Sequence, residues 1–115
     1  MQSNIYGKKS EIIISKFLKE KGYKILKTNY KNKIGEIDII AQDKNYLVFV
    51  EVKARLSRAF GDPAEAVDVR KQLKIRKVAQ LYLIKTGKTE YNCRFDVITL
   101  LGDENPQINH IIDAF

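Results

Sequence analysis

The chain has 115 residues, which favours a single domain over residues 1–115, and its hydrophobic fraction of 44% excludes a disordered chain. No apolar run reaches the ~18 residues of a membrane-spanning helix, and the N-terminus lacks the apolar run of a secretory signal. Lys and Arg number 21 against 14 Asp and Glu, and the net charge of +7 favours polyanionic partners such as nucleic acid.

The scarcity of cysteine and histidine excludes several kinds of site. Cys93 is the one cysteine and cannot form an internal disulfide, so we expect a reducing, cytoplasmic setting. Because His110 is the one histidine, a zinc site built from Cys and His is excluded. A Ser-His-Asp triad is excluded as well, unless His110 is its base.

The first half of the chain predicts a helix followed by three strands. Apolar residues recur at helical spacing over residues 4–21, and Gly22 is typical of a helix end. Residues 23–30 alternate between apolar and polar side chains and are predicted to form a strand. Residues 36–42 and 46–54 are predicted to form a β-hairpin.

The second half predicts one helix and two strands. Pro63 is typical of a first helical position, and the helix is predicted to run to about residue 86 with a break around Asp68. Residues 93–100 form a further strand and residues 107–113 an edge strand. The order α-β-β-β-α-β-β predicts an α/β fold, a mixed sheet with two helices against it.

The predicted hairpin contains four charges among apolar residues. With a turn at Lys44-Asn45, the apolar side chains set the register by pairing Ile37 with Val52, Ile39 with Val50 and Ala41 with Val48. The same register places Asp38 opposite Glu51 and Glu36 opposite Lys53. Residues opposite each other have Cβ atoms ~5 Å apart, so the two carboxylates are expected to repel.

A divalent cation between Asp38 and Glu51 would explain this pairing. Hard oxygen ligands in small number suit Mg²⁺ or Mn²⁺, and Lys53 would reach the same region. The alternative is a solvated strand face on which Glu36 and Lys53 form a plain cross-strand ion pair. Two features favour a site: Leu47 and Phe49 share the face of Glu51, and the charges interrupt a continuous apolar run.

Glu11 is a candidate third ligand on the first helix. It lies one turn before Ile14 and two turns before Leu18, on the side that faces the sheet. Gly7, four residues earlier on the same stripe, would permit a close approach. The alternative is a solvated glutamate at the edge of the helix.

The later helix carries a basic surface, since no acid occurs between Val69 and Thr89. Candidate nucleic-acid-binding residues are Arg70, Lys74 and Lys77 on its exposed stripe, Lys71 on the apolar side, and Arg55 and Arg58 in the preceding segment. The alternative is an ordinary solvated helix face. Elsewhere, Asp96 is interpreted as a structural partner of an Arg or Lys, Cys93 as a small core residue and His110 as structural.

A series of short motifs covers nearly the whole chain: "GKKSE" at 7–11, "KGYKILKTNY" at 21–30, "GEIDII" at 35–40, "VFVEVKAR" at 48–55, "FGDPAEAV" at 60–67, "RFDVITL" at 94–100 and the closing "IIDAF". In their order and spacing these motifs resemble the YraN-type family of bacterial proteins. The family is assigned to the restriction-endonuclease-like PD-(D/E)xK superfamily, which includes archaeal Holliday-junction resolvases. This implies a restriction-endonuclease-like core, a central mixed sheet flanked by helices.

The resemblance also implies roles for individual residues. Asp38 matches the first acid of the motif, Glu51 and Lys53 match the (D/E)xK element, and Glu11 matches the helix acid of the resolvase-like branch. Ile37 stands where the motif has proline, and Glu36 precedes it, as is usual in the YraN-type group. The resolvase-like branch often forms homodimers, although the sequence marks no interface.

Together these observations predict a Mg²⁺- or Mn²⁺-dependent endonuclease that hydrolyses phosphodiester bonds, with DNA, including branched or junction DNA, as the expected substrate. The first alternative is a non-catalytic nucleic-acid-binding protein on the same fold. The second is a small structural or interaction domain that binds neither metal nor nucleic acid. The sequence predicts no association with a membrane.

Overall fold

The predicted order of elements is confirmed. The computed structural model describes residues 2–57 and 67–115. Its elements are α1 (Gln2–Glu20), β1 (Lys24–Lys31), β2 (Glu36–Asp43), β3 (Tyr46–Arg55), α2 (Val69–Thr86), β4 (Asn92–Leu101) and β5 (Gln107–Ile111). The helical start predicted at Pro63 lies outside the described residues.

The five strands form one mixed sheet in the order β1-β2-β3-β4-β5. β1 with β2, β2 with β3, and β4 with β5 pair antiparallel, as short turns between neighbouring strands allow. β3 and β4 pair parallel, and the chain between them includes α2, as a crossover connection requires.

Each face of the sheet carries its own apolar core. Ile14 and Leu18 of α1 pack with Ile39, Val48 and Val50 on one face. On the other face, Ile75, Val78 and Tyr82 of α2 pack with Ile40, Leu47 and Phe49. Alternation along β2 and β3 thus sends successive side chains to α1 and to α2.

Local signals fix both ends of α2. The side chain of Asp68 accepts a hydrogen bond from the backbone N–H of Lys71 at 2.8 Å, which makes it the N-cap. Gly87 ends the helix in the left-handed region with φ of 71°, a conformation that glycine adopts without strain. The break predicted around Asp68 is therefore the start of α2, and its predicted end near Gly87 is confirmed.

The predicted hairpin register is confirmed over the inner part of the hairpin. Asp43 pairs with Tyr46, Ala41 with Val48 and Ile39 with Val50. The paired stretch ends at Ile39 and Val50, so Asp38 and Glu51 are not cross-strand partners, nor are Glu36 and Lys53. The predicted pairs beyond Ile39 are therefore wrong.

β2 changes face at Asp38. In a regular strand Ile37 would share a face with Ile39, yet Ile37 packs in the core beneath α2 while Ile39 packs beneath α1. The apolar face predicted for Ile37, Ile39 and Ala41 is accordingly wrong at Ile37. On the neighbouring strand β1, Asn29 lies opposite this irregularity and has φ of 51°, so β1 and β2 depart from regular geometry at the same level.

The edges of the fold give two further results. Cys93 lies near the start of β4 and is exposed, so the prediction of a small core residue is wrong.

In the described part of the chain, neither α1 nor α2 has the length and apolar character that crossing a bilayer requires.

Candidate functional site

Asp38 lies at the point where β2 separates from β3. Its Oδ2 accepts a hydrogen bond from the backbone N–H of Val52 at 2.7 Å, which takes the place of a backbone bond between the strands. Burial, followed by the negative charge of Glu51, raises the pKa of Asp38 to about 7. The structure thus holds this carboxylate in surroundings that disfavour its charge.

Glu51 is the second acid of the predicted motif, and it is buried on the face of β3 toward α2. Its side chain is 10% exposed, and its Oε1 lies 2.8 Å from Nζ of Lys71. Burial, the largest effect, opposes the charge of Lys71, but the hydrogen bond to Glu51 and the negative charges of Glu51 and Asp38, with the contact to Lys53, together raise the pKa of Lys71. Lys71, predicted on the apolar side of α2, therefore points toward the acids of β2 and β3.

Lys53 is the third member of the predicted motif. It is partly buried, and burial, together with the positive charge of Lys71, lowers the pKa of Lys53. The two ammonium groups are therefore close neighbours beside Glu51. No salt bridge joins Lys53 to Glu36, both of which belong to the described residues, so the plain ion pair considered above does not form.

Two cavities meet at Asp38. One of about 610 Å³ is lined by Glu11, Asn29, Lys8 and Lys31 as well as by Glu36 and Asp38. The other, of about 320 Å³, is lined by Glu51, Lys71 and Lys74 as well as by Glu36 and Asp38. Asp38 and Glu36 line both cavities, and Glu51 lies on the α2 side.

Glu11 of α1 reaches the larger cavity, as its place on the helix predicts. Its Oε2 accepts a hydrogen bond from Nδ2 of Asn29 at 2.7 Å. The structure therefore brings Glu11 and Asp38 to one cavity, and Asp38 and Glu51 to the other. Among the residues that the structure describes, no three His, Cys, Asp or Glu side chains lie close enough together to hold an ion as they stand.

The donor chemistry of Asp38 and Glu51 nevertheless fits a hard divalent cation. Both are carboxylates, their negative charges raise each other's energy, and the cation now beside Glu51 is the ammonium of Lys71. Mg²⁺ binds through one or two carboxylates and keeps several waters, so two acids suffice in principle. The metal roles of Asp38, Glu51 and Glu11 stay predictions.

The predicted basic residues of α2 form one exposed surface. Arg70, Lys74 and Lys77 are exposed, and Lys74 also lines the smaller cavity. Gly35, just before β2, lies close to this helix, since a Cβ there would lie 3.0 Å from Cε of Lys74 and 3.3 Å from Cγ2 of Val78. Arg55 is partly buried at the end of β3, and Arg58 lies outside the described residues.

Lys8 and Lys31 were not singled out from the sequence, yet both line the larger cavity beside Asp38. Lys8 lies one helical turn before Glu11, and Lys31 pairs with Glu36 across β1 and β2. These two spacings are the signals from which they could have been found. With Lys71 and Lys74 on the α2 side, lysines flank the acids on both sides of the sheet.

Asp96 belongs to a separate, structural cluster. It is fully buried and accepts hydrogen bonds from Nε of Arg94 at 2.9 Å, from Nε2 of His110 at 2.7 Å and from the backbone N–H of Asp113 at 3.0 Å. Burial opposes its charge, but the bonds from His110 and Arg94 hold the pKa of Asp96 below its usual value. The predicted partnership of Asp96 with an arginine is confirmed.

Comparison with known proteins gives one consistent result. The family described as "Uncharacterised protein family UPF0102" matches residues 10–100. The UPF0102 protein of Caldanaerobacter subterraneus subsp. tengcongensis is 50% identical over an alignment of 113 residues that covers 95% of this chain and 93% of that protein. The UPF0102 protein of Alkaliphilus oremlandii is 51% identical over 102 residues, 86% of this chain and 87% of that protein. One from Clostridium botulinum is 49% identical over 113 residues, 95% and 92% of the two chains. Since the matches span most of the chain at about half identity, the protein belongs to the UPF0102 family.

Proposed function

We propose that the chain is a nuclease domain that hydrolyses phosphodiester bonds in nucleic acid with the help of Mg²⁺ or Mn²⁺. The observation that carries this proposal is the grouping of Asp38, Glu51 and Lys53 where β2 leaves β3, with Lys71 beside them. Two carboxylates held together at the edge of a core lower stability, and such an arrangement is typical of a functional site.

Asp38 and Glu51 are the residues that would hold the cation, with the backbone carbonyl of Val52 and Glu11 as candidates for additional or water-mediated contacts. A divalent cation supplies two effects in such chemistry: it polarises a phosphate oxygen and lowers the pKa of a bound water. Its charge would also offset the repulsion between Asp38 and Glu51, which raises the pKa of Asp38.

Lys53 is the group proposed to act on the reacting phosphate. Its lowered pKa means that this ammonium holds its proton less firmly than an ordinary lysine does. In its ammonium form it can orient a water by hydrogen bonding or offset the negative charge that develops on phosphorus. No covalent intermediate with the protein is required.

The lysines around the cavities would hold the backbone of the nucleic acid. Lys8 and Lys31 line the α1 side, while Lys71 and Lys74 line the α2 side, so a phosphate chain could contact both rims with one phosphate above Asp38. Arg70 and Lys77 extend the positive surface along α2. The net charge of +7 acts in the same direction, and we propose DNA as the partner.

The direct test is cleavage of a panel of linear, branched and single-stranded DNA in Mg²⁺ or Mn²⁺. Asp38→Asn is the informative variant, because the amide oxygen can still accept the Val52 hydrogen bond while the charge is removed. Asp103→Asn is the matched control, since Asp103 is an exposed acid paired with Lys9. The assignment of Asp38 fails if all three proteins cleave equally.

A second candidate function is non-catalytic binding of nucleic acid on the same fold. It is favoured by one observation: Glu51 already has a cation partner in Lys71. Calorimetric titration with Mn²⁺ separates the two functions. The nuclease proposal requires binding that is lost in Glu51→Gln, whereas the binding-only alternative requires salt-dependent DNA binding with no response to Mn²⁺.

A further inference from the structure

The ion pair between Lys71 and Glu51 joins two side chains with unequal access to water. The side chain of Glu51 is 10% exposed, whereas that of Lys71 is 45% exposed. Lys71 is anchored at its backbone, where its N–H donates to the N-cap Asp68 at 2.8 Å. The carboxylate is therefore fixed, and the ammonium is at the end of a flexible chain that opens to solvent.

We propose that Lys71 is an exchangeable cation, which occupies the place beside Glu51 in the free protein and moves to a substrate phosphate when a divalent cation takes that place. Metal and nucleic acid would then bind cooperatively through one side chain. This inference rests on the proposed nuclease function, and it adds a coupling between the two ligands that the proposed function does not require.

Electrostatics supports the exchange from both sides. A buried, ionised carboxylate without a partner is strongly destabilised, so a cation beside Glu51 stabilises the folded chain, whether that cation is Lys71 or a divalent ion. The smaller cavity next to it opens onto Lys74 and gives a cation or a phosphate a route to the pair. Displaced Lys71 would remain close to Lys53, and two neighbouring ammonium groups create an attractive position for a phosphate.

Reciprocity gives the exchange a measurable signature. If the cation must displace Lys71, then the free protein binds the cation more weakly than its carboxylates alone would. If a phosphate holds Lys71 away from Glu51, the phosphate must strengthen cation binding, and the cation must strengthen phosphate binding by the same factor.

The test is titration of Mn²⁺ into the full chain, with and without a saturating short DNA duplex whose phosphorothioate linkages resist hydrolysis. In the unmodified protein we expect the duplex to tighten Mn²⁺ binding about tenfold. Without DNA, Lys71→Met should bind Mn²⁺ about tenfold more tightly than the unmodified protein, and the effect of the duplex should fall to about twofold. Lys71→Gln serves as a second variant, and circular dichroism verifies that both fold.

Lys74→Met is the matched control. Lys74 lines the same cavity and carries the same charge, but the ion pair of Glu51 is with Lys71. The charge of Lys74 acts on a bound cation only from a distance, so its removal should change Mn²⁺ affinity by about twofold. If Lys71→Met behaves like Lys74→Met, the exchange is overturned while the metal site stands. If the unmodified protein binds no Mn²⁺ with or without DNA, the exchange and the proposed function both fail.

Discussion

The carboxylate of Asp38 accepts a hydrogen bond from the backbone N–H of Val52 at 2.7 Å, and this contact marks the place where β2 stops pairing with β3. A side chain thus replaces a backbone acceptor, and the two strands separate around it. The separation opens the cavities on the two sides of Asp38. One residue therefore shapes the site and supplies its most perturbed acid.

The raised pKa of Asp38 predicts an unusual pH dependence of stability. Its pKa is about 7 in the folded chain and about 4 when unfolded, so the folded state binds the extra proton between these values. The free energy of unfolding should therefore fall by about 2–4 kcal/mol as the pH rises from about 4 to about 7.

Urea unfolding at a series of pH values measures this dependence. Asp38→Asn, which carries no titratable proton, should lose most of it and should exceed the unmodified chain in stability above neutral pH. A stability that rises over the same interval in the unmodified chain would contradict the burial of Asp38. A loss of stability below about pH 4 has a separate cause. Because the pKa of Asp96 is lowered in the folded chain, protonation of this acid destabilises the fold at low pH.

Asp96→Asn is predicted to destabilise the fold severely. Asp96 is fully buried between Arg94 and His110, and removal of its charge leaves the guanidinium of Arg94 without its shortest ion pair. We expect a loss of about 3–5 kcal/mol in the free energy of unfolding. Asp103→Asn breaks an exposed ion pair with Lys9 and should cost about 0.5 kcal/mol. Equal losses in urea unfolding would show that the Asp96 cluster contributes no more than a surface pair.

Lys53→Met is predicted to separate metal binding from catalysis. If Lys53 acts on the reacting phosphate, its loss should reduce the cleavage rate by about 100-fold and leave Mn²⁺ binding measurable by calorimetry. Lys27→Met, an exposed lysine on β1, is the control and should keep the original rate. A variant of Lys53 that cleaves at that rate would remove this residue from the proposed mechanism.

The lysines of the larger cavity are predicted to bind phosphates. Lys8→Gln combined with Lys31→Gln should weaken DNA binding and make it less sensitive to salt, with a slope of log affinity against log salt lower by about 1–2. Lys24→Gln, at the opposite end of β1, should leave the slope unchanged. Fluorescence anisotropy at several salt concentrations measures both. An identical slope in all three proteins would place the DNA elsewhere.

The periodicity of apolar residues predicted the helices, the strands and most of the hairpin register, because it indicates which side chains enter a core. The register holds from Tyr46 to Val50 for this reason. It fails at Ile37, since a period of two assumes an uninterrupted ladder and cannot foresee that the Asp38 side chain will take a backbone donor. Cys93 was misplaced because β4 extends beyond the core at its first residues.

The acids and lysines of the site were predictable to different degrees. Glu51 and Lys71 were predictable from their own elements. Strand alternation places Glu51 on the face of the sheet toward α2, and helical spacing places Lys71 on the apolar side of α2, where the two side chains meet. Lys8 and Lys31 were missed because residues of α1, β1, β2 and β3 line their cavity together, so the spacing of Lys8 from Glu11 and the pairing of Lys31 with Glu36 point to a site only once these elements are assembled. The link between Glu11 and Asn29 likewise depends on the left-handed backbone at Asn29.

The parallel pairing of β3 with β4 has a consequence for the order of folding. β1, β2 and β3 meet through short turns, whereas β4 pairs with β3 only after a long connection that includes α2. Contacts between neighbours in sequence lose less chain entropy, so the acid-bearing half should assemble first. Glu51 then has no counter-charge until α2 docks on the sheet and brings the ammonium of Lys71 beside it. We therefore expect the refolding rate to rise with added salt. Glu51→Gln should remove this salt dependence.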